Sequence, residues 1–218
     1  MSEYERTRKN RIIRHPERGA YDKGRVFQII DEALICHVAF VQDGQPFVIP
    51  TLHARDEESI LLHGASSSRL MRHIESGHEL SLAFTLVDGL VLARSVFSHS
   101  VNYRSVVLFG RGKKIASADE KSAALERFTE RIMPGRWADA RPPTAVELKA
   151  TSVATIPIEL ASAKIRQGPP MDDEADLDLP VWAGVVPIRQ AVSDPEPDPQ
   201  LRGAPLPDYI RRYVQNGR

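Results

Sequence analysis

The sequence predicts a mainly β protein with inserted helices, of the α+β class, built on an antiparallel barrel. Short β-rich runs recur along residues 24–170, and helical patterns are inserted between the predicted hairpins. The 218 residues are 42% hydrophobic. Because a chain of this length and composition can build one substantial core, we expect one domain with appendages.

The first half of the domain is predicted as a helix followed by a β-meander. Residues 24–33 (GRVFQIIDEA) place their apolar side chains on one stripe, which is typical of a short helix packed on a sheet. Three strands follow, over residues 34–41, 45–53 and 59–63. Asp43-Gly44 supplies the positive φ that a tight hairpin needs.

The second half alternates further helices and strands. A helix over 66–76 precedes a strand over 79–86, while 87–99 matches neither the helical nor the strand period. A long strand is predicted over 101–115, with a kink at Gly110 or Gly112.

In the remainder of the domain, two capping boxes predict where helices begin and a proline predicts an interruption of a strand. Ser117 with Glu120, and Thr144 with Glu147, have the spacing that begins a helix. The last predicted strand, 152–166, contains Pro157, which indicates a sheet edge or a bulge there.

Arms of biased composition flank the domain, so the chain divides into 1–23, 24–170 and 171–218. The first arm is basic, and the second is acidic over 172–178 and then proline-rich, which is typical of a segment draped over a surface. The basic arm has the residues to bind nucleic acid. Since Lys+Arg and Asp+Glu both total 29, we expect instead a solvated or dimer-clasping arm that pairs with the acidic run.

Composition also predicts the compartment. The single Cys36 lies in an apolar run, ALICHVAFV, so we expect a buried packing thiol in a reducing compartment. The charged N-terminal residues lack the apolar segment of a signal peptide, and we find no apolar run of membrane-spanning length. We therefore expect a cytoplasmic protein with no membrane and no nucleic-acid partner.

The stretch HGASSSRLMRH, residues 63–73, has the composition of a phosphate site. Serines 66–68 at the first turn of a helix would add hydroxyl donors to the free backbone amides. Arg69 supplies countercharge, and Arg72 or His73 lies one turn further along the helix. The alternative is simple N-capping of the helix by one serine.

The stretch FVIPTLHA, residues 47–54, offers a flat surface beside polar groups. In a strand, Val48 and Pro50 face opposite to Ile49, Thr51 and His53. Pro50 cannot donate to a ladder, which indicates a sheet edge whose neighbouring amides are free to bind a ligand.

The stretch NYRSVVLFG, residues 102–110, places Tyr103 and Ser105 on one strand face and Arg104 on the other. An aromatic ring, a hydroxyl and a guanidinium suit a ligand that stacks and hydrogen-bonds, although tyrosine in a strand also serves ordinary packing. His53 and His63 alone do not make a zinc site, which needs three or four suitably spaced ligands, so no metal is expected.

Several motifs in order carry a family resemblance: HPERGAYD at 15–22, PFVIP at 46–50, LLHGASSSR at 61–69, NYRSVVLFG at 102–110, PGRW at 134–137 and VWAGVVP at 181–187. Together they resemble the pyridoxamine 5′-phosphate oxidase-like flavoproteins, near the branch that includes nitroimidazole-resistance reductases. The resemblance implies a split β-barrel homodimer with two FMN sites at the subunit interface.

The resemblance also implies which residues bind the cofactor. The phosphate would lie by His63, Ser67, Ser68 and Arg69, and the isoalloxazine along Val48, Ile49, Pro50 and Thr51. Tyr103, Arg104 and Ser105 match a motif near the flavin or the dimer contact. Trp182 would either cap the ring, from its own or the partner chain, or anchor the C-terminal arm.

The function that follows is an FMN-dependent oxidoreductase. It would pass hydride or electrons from a reduced nicotinamide, NAD(P)H, or another donor to a small-molecule acceptor. His53 and Tyr103 are the candidates for proton delivery. Pyridoxamine phosphate oxidation is not expected, because the basic cluster that the oxidase uses for that substrate has no counterpart here.

Two alternatives are weighed beside the reductase. The first keeps the flavin without catalysis, as a flavin-sensing or flavin-storing module. The second is a hydrolase that uses a serine of 66–68 with His63 or His73, but the sequence lacks the G-x-S-x-G elbow and an orienting acid.

Overall fold

The computed structural model describes residues 2–217, and the eleven strands of these residues form two antiparallel sheets. The larger sheet has seven strands, in the order β1-β10-β7-β6-β2-β3 with β11 added to β6, and the smaller has the order β4-β5-β9-β8. The strands are β1 Gly19–Ala20, β2 Ile35–Gln42, β3 Gln45–Leu52, β4 Ala54–Asp56, β5 Ser59–Ala65, β6 Glu79–Leu92, β7 Ser100–Arg111, β8 Lys113–Lys114, β9 Thr151–Pro157, β10 Leu160–Arg166 and β11 Gly184–Pro187. The helices are α1 Lys23–Glu32, α2 Arg69–Glu75, α3 Ala118–Ile132, α4 Arg136–Asp139, α5 Ala145–Ala150 and α6 Asp208–Gln215.

One core lies between the two sheets. Val38, Leu82 and Val106 of the larger sheet and Leu62 and Ile156 of the smaller belong to the same cluster of buried side chains. The predicted α+β class and antiparallel pairing are confirmed. Within residues 2–217 the strands form separate sheets and do not close into one hydrogen-bonded barrel.

The predicted elements of the first half are present with small shifts in their ends. At the hairpin between β2 and β3, Asp43 and Gly44 have φ of 52° and 75°, as the two central positions of a tight turn require. Cys36 is a fully buried packing residue, and burial raises the pKa of its thiol to about 12. The expectation of an inert core thiol is confirmed.

Two stretches in the second half differ from the prediction. Residues 87–92, which matched neither period, continue β6 across a β-bulge between Val87 and Gly89, and the bulge is what breaks the alternation of side chains. The strand predicted over 152–166 is two strands, because the chain leaves the smaller sheet after Pro157 and joins the larger one as β10.

Helix α3 covers the outer face of the smaller sheet. Ala124 and Phe128 pack there against Ala54, Leu61 and Val153 in a second buried cluster. The predicted capping box at Thr144 is confirmed, since its hydroxyl and the Glu147 carboxylate each accept a hydrogen bond from the other residue's amide.

Both arms pack on the domain more closely than their composition suggests. In the N-terminal arm Asn10 is buried and donates through its amide to the backbone oxygen of Ala161, at 3.0 Å. In the C-terminal arm Asp172 pairs with Arg94 at 2.9 Å, although the sequence predicted a partner in the basic arm. These contacts join residues far apart in sequence, so no local pattern predicts them.

The C-terminal arm also contains two elements that were not predicted. Strand β11 pairs with the second half of β6, and the hydroxyl of Tyr209 in α6 donates to Asp139 of α4 at 2.8 Å. Among residues 2–217, none of the helices combines the length and the apolar character that crossing a membrane requires.

Candidate functional site

The predicted phosphate corner and the predicted flavin strand lie side by side. The guanidinium of Arg69, at the start of α2, lies over the ring of Phe47 in β3, 4.0 Å from its centroid. Phe47 in turn stacks on Phe40 of β2, with centroids 5.6 Å apart. This cation–π contact joins two motifs that are more than ten residues apart in the sequence.

In the serine corner, residues 66–69, one side chain caps helix α2 and the others are exposed to solvent. The hydroxyl of Ser68 accepts from the backbone amide of Met71 at 3.3 Å and so caps α2. The side chains of Ser66, Ser67 and Arg69 are exposed. One serine therefore caps the helix, as the structural alternative proposed, and two hydroxyls and a guanidinium remain available to an anion.

His63 and Gly64 lie on opposite faces of β5. Because Gly64 has no side chain, Ser68 and Met71 pack close to it. An added Cβ at Gly64 would lie 3.6 Å from the Ser68 hydroxyl. The imidazole of His63 packs edge-on against Phe128 of α3, at 4.4 Å between centroids, and burial lowers its pKa. The structure therefore places this residue in the packing of α3.

Strand β3 is an edge of the larger sheet, as Pro50 predicted. Within the described residues it pairs with β2 alone, so its other edge is open. Val48 is 62% exposed on the outer face of the sheet, and Pro50 is exposed beside it. Ile49 and Thr51 point inward and are half-buried. The strand thus presents a flat apolar face beside an unpaired backbone edge.

Tyr103, Arg104 and Ser105 of the NYRS motif lie in two different environments. Tyr103 and Ser105 face outward, opposite Arg166 and Lys164 of β10. Arg104 forms a bidentate pair with Asp88, at 2.8 and 2.9 Å, and also contacts Glu32. These carboxylates raise the pKa of Arg104, so its charge is neutralised within the domain.

His53 is a core residue in this structure. It is 5% exposed, its Nε2 lies 2.9 Å from the backbone oxygen of Ile30, and its ring packs edge-on against Phe84. Because a carbonyl can only accept, Nε2 carries the proton, and burial lowers the pKa of the ring. The imidazole is therefore neutral and shielded from solvent.

Trp182 lies at the start of the β11 segment. Its ring covers Gly184, where an added Cβ would lie 2.8 Å from the indole, yet 65% of the residue is exposed. The contact with Gly184 lies within the C-terminal arm itself, so it does not join the arm to the domain, and the ring offers a free face.

A basic cleft of about 470 Å³ was not predicted from the sequence. It lies where the N-terminal arm meets β10 and the segment before β7, and its charged lining includes Arg14, Arg18, Lys164 and Arg166. The sequence signal for it is HPERG, residues 15–19, a motif that also carries the family resemblance.

Comparison with known proteins defines the class. A family model described as Pyridoxamine 5'-phosphate oxidase matches residues 22–165, which is more than half of the chain. The chain belongs to this family, and the resemblance inferred from its motifs is confirmed. No curated protein matches the chain.

Two solved structures are similar over nearly the whole chain. The flavocytochrome Anf3 from Azotobacter vinelandii is 40% identical, with a TM-score of 0.90 and coverage of 94% of this chain and 96% of that one. An FAD and heme binding protein from Mycobacterium smegmatis is 34% identical, with a TM-score of 0.86 and coverage of 89% and 96%.

A more distant likeness shows the fold alone. A protein described as a 5-nitroimidazole antibiotic resistance protein from Bacteroides thetaiotaomicron is 21% identical, with a TM-score of 0.57 and coverage of 67% of this chain and 86% of that one.

Proposed function

We propose that this protein is a flavin-dependent redox protein that carries haem as a second cofactor. The observation that carries the proposal is the match over 94% of the chain to a flavocytochrome, supported by the match to an FAD and heme binding protein. Membership of the family and these neighbours support a flavin-binding redox function. The pairing of flavin with haem is our extension to this chain.

The residues of the serine corner and β3 suit a flavin. Arg69 with the hydroxyls of Ser66 and Ser67 would bind the phosphate, and the outward face of β3 at Val48 and Pro50 would support the ring. The open backbone edge of β3 offers donors and acceptors to the polar rim of the ring. When bound, the flavin supplies the hydride and single-electron chemistry.

We propose FAD as the form of the flavin, in place of the FMN expected from the sequence. FAD contains the whole of FMN, so the same corner and strand would hold the half that the two molecules share. The printed description of the similar Mycobacterium smegmatis protein favours FAD.

The protein's part in the reaction is to bind and orient the cofactor. His53 is buried and neutral, which leaves Tyr103, half-buried on the outer sheet face, as the candidate for proton delivery. Arg104 is neutralised by two carboxylates and would shape the site through its ion pairs.

We also propose that the outer face of the larger sheet binds a second copy of the chain. Exposed apolar side chains follow one another across this face: Ile35 and Val41 of β2, Val48 and Leu52 of β3, Val87 of β6 and Val107 of β7. Apolar surface of this extent on one sheet face favours a protein partner over water. Since β3 carries the flavin in this proposal, the homodimer contact and the cofactor site would be continuous.

The test is the cofactor content of the purified protein. We expect yellow-brown protein whose visible spectrum combines flavin bands with a haem Soret band, and chromatography of the released flavin should identify FAD. FMN in the extract would overturn the choice of FAD, and protein that binds neither flavin nor haem after incubation with both would overturn the proposal.

A second measurement separates the redox protein from a storage module. Anaerobic addition of NADH or NADPH should bleach the flavin, and an added acceptor should restore it over many cycles. Flavin that dithionite reduces but that neither nicotinamide donor reduces, with no turnover of the acceptor, would support the non-catalytic alternative.

A further inference from the structure

The basic cleft has a cationic lining, and the one carboxylate that contacts it among the described residues is Glu17, 3.1 Å from His15 and 3.6 Å from Arg18. Besides Arg14, Arg18, Lys164 and Arg166, it is lined by His15 and His99. Among the described residues that line it, none carries a carboxylate. A concave surface with one sign of charge attracts a ligand of the opposite sign.

Arg166 is the buried cation of this cleft, and its environment favours an anionic ligand. The residue is 6% exposed, and its guanidinium donates to neutral acceptors: the backbone oxygens of Gly168 and Pro169, at 3.4 and 3.2 Å, and the amide oxygen of Asn102. Within residues 2–217 no carboxylate pairs with it. Burial and the charge of Arg18 lower its pKa. A buried cation with these partners is stabilised by an acidic ligand.

His99 is oriented as a metal ligand would be. Its Nδ1 lies 2.9 Å from the backbone oxygen of Ser95, and because that oxygen can only accept, Nδ1 carries the proton. In the neutral ring, Nε2 is then the nitrogen with the free lone pair. A histidine that donates one ring N–H to a carbonyl and offers the other nitrogen is the usual arrangement at metal sites.

The same cleft has exposed apolar walls. Phe97 is 96% exposed and Met171 is 75% exposed, and both line it, while the neighbouring Val96 is 84% exposed. Large apolar side chains left in water beside a cleft favour an apolar ligand surface.

Haem, one of the two proposed cofactors, has the features that this lining suits. It carries acidic propionates, a broad apolar ring and an iron that accepts a nitrogen lone pair. We infer that the basic cleft binds haem, with Nε2 of His99 as an axial ligand of the iron and with Arg166, Arg18 and Lys164 paired to the propionates. The inference rests on the haem half of the proposed function. It assigns that cofactor to residues separate from the serine corner and β3.

The first test replaces the ligand. His99→Ala, compared with His78→Ala on the exposed turn before β6, should lower the haem bound per protein at fixed haemin concentration. We expect the affinity for haem to fall at least as much as the roughly 10- to 100-fold by which metal affinity falls when a ligand's hydrogen-bond partner is removed. Flavin content should stay at the wild-type value, and the melting temperature should match that of wild-type protein without haem. Added imidazole should restore the Soret band of His99→Ala.

The second test addresses the propionates. Lys164→Gln should weaken haemin binding and reduce its dependence on salt, whereas Arg202→Gln in the exposed C-terminal arm should change neither. Circular dichroism of each variant separates a loss of binding from a loss of folding.

The outcomes are distinct. Wild-type protein that binds flavin but no haem overturns the haem half of the proposed function and this inference with it. If wild-type protein binds haem and His99→Ala keeps the same content and spectrum, the inference alone is wrong. Loss of haem in His15→Ala but not in His99→Ala would overturn the choice of ligand, and loss of flavin in Lys164→Gln with haem retained would show that the cleft holds a flavin phosphate.

Discussion

At the scale of single residues, Arg69 combines a contact with Phe47 and free hydrogen-bond donors. Its guanidinium lies over Phe47, yet the residue is exposed and has room to donate to a ligand at the same time. Ser68, by contrast, already uses its hydroxyl to cap α2. The affinity for a phosphate is therefore expected to depend on Arg69 more than on Ser68.

Arg69→Ala is expected to weaken flavin binding about tenfold or more, because a hydrogen bond to a charged group contributes about 1.5–3 kcal/mol. Fluorescence titration of the apoprotein with FMN and FAD measures the change. Arg8→Ala, which removes an exposed arginine of the N-terminal arm, is the matched control. Equal affinity in the two variants would remove the serine corner from the flavin site.

Two histidines whose pKa is lowered, His53 and His63, predict a pH dependence of stability. Burial lowers the pKa of His53 and His63 below their ordinary value of 6.5. Near and below pH 6.5 the unfolded chain therefore binds more protons than the folded chain. The free energy of unfolding should therefore be largest above pH 6.5 and fall below it, by up to about 1.4 kcal/mol per pH unit for each histidine.

Urea unfolding between pH 5 and pH 8 measures this slope. The double variant His53→Gln and His63→Gln should flatten it, whereas His78→Gln, at an exposed position, should leave it as in the wild type. A slope unchanged in the double variant would mean that other groups titrate in this range.

At the scale of elements, Gly112 is the point where the chain passes from the larger sheet to the smaller. It lies between β7 and β8, is buried, and leaves its Cα against Ile74 of α2 and Ile156 of β9. The sequence predicted a kink at Gly110 or Gly112 in one long strand. The structure shows why a side chain is excluded there, since two sheets and a helix meet at that position.

Gly112→Ala is expected to lower the free energy of unfolding by about 1–3 kcal/mol, as overpacking of a core does. Gly24→Ala, in the exposed first turn of α1, is the control and should leave stability unchanged or raise it slightly. Chemical denaturation of both variants makes the comparison. Wild-type stability of Gly112→Ala would show that Ile74 can move away at little cost.

At the scale of the whole molecule, the exposed apolar face of the larger sheet is the feature that the monomer leaves without a partner. Val48 lies on β3, the edge strand of this face, next to the proposed flavin. Val48→Glu would bury a carboxylate in each of two symmetric positions, which a dimer interface tolerates poorly.

Val48→Glu is therefore expected to raise the dimer dissociation constant at least about tenfold and to release flavin as dimers separate. Size-exclusion chromatography with light scattering measures the mass, and absorbance at the flavin band measures the cofactor. Val146→Glu, on the exposed side of α5, is the control. A monomeric wild-type protein that holds flavin would contradict the dimer.

The sequence by itself determined the fold class, the family and most of the strands. Hydrophobic alternation, the Asp43-Gly44 turn and the capping box at Thr144 are local signals, and the structure contains the elements that they predict. The edge position of β3 also followed from one residue, Pro50, because a proline lacks the donor that an inner strand needs.

Only the tertiary structure decided which residues meet. It placed Arg69 over Phe47, moved β10 into the other sheet after Pro157, buried His53 in the core and gathered the basic cleft from the N-terminal arm, β10 and the segment before β7. The physical reason is that burial and charge depend on neighbours distant in sequence, whereas periodicity reports only which face of an element a side chain occupies.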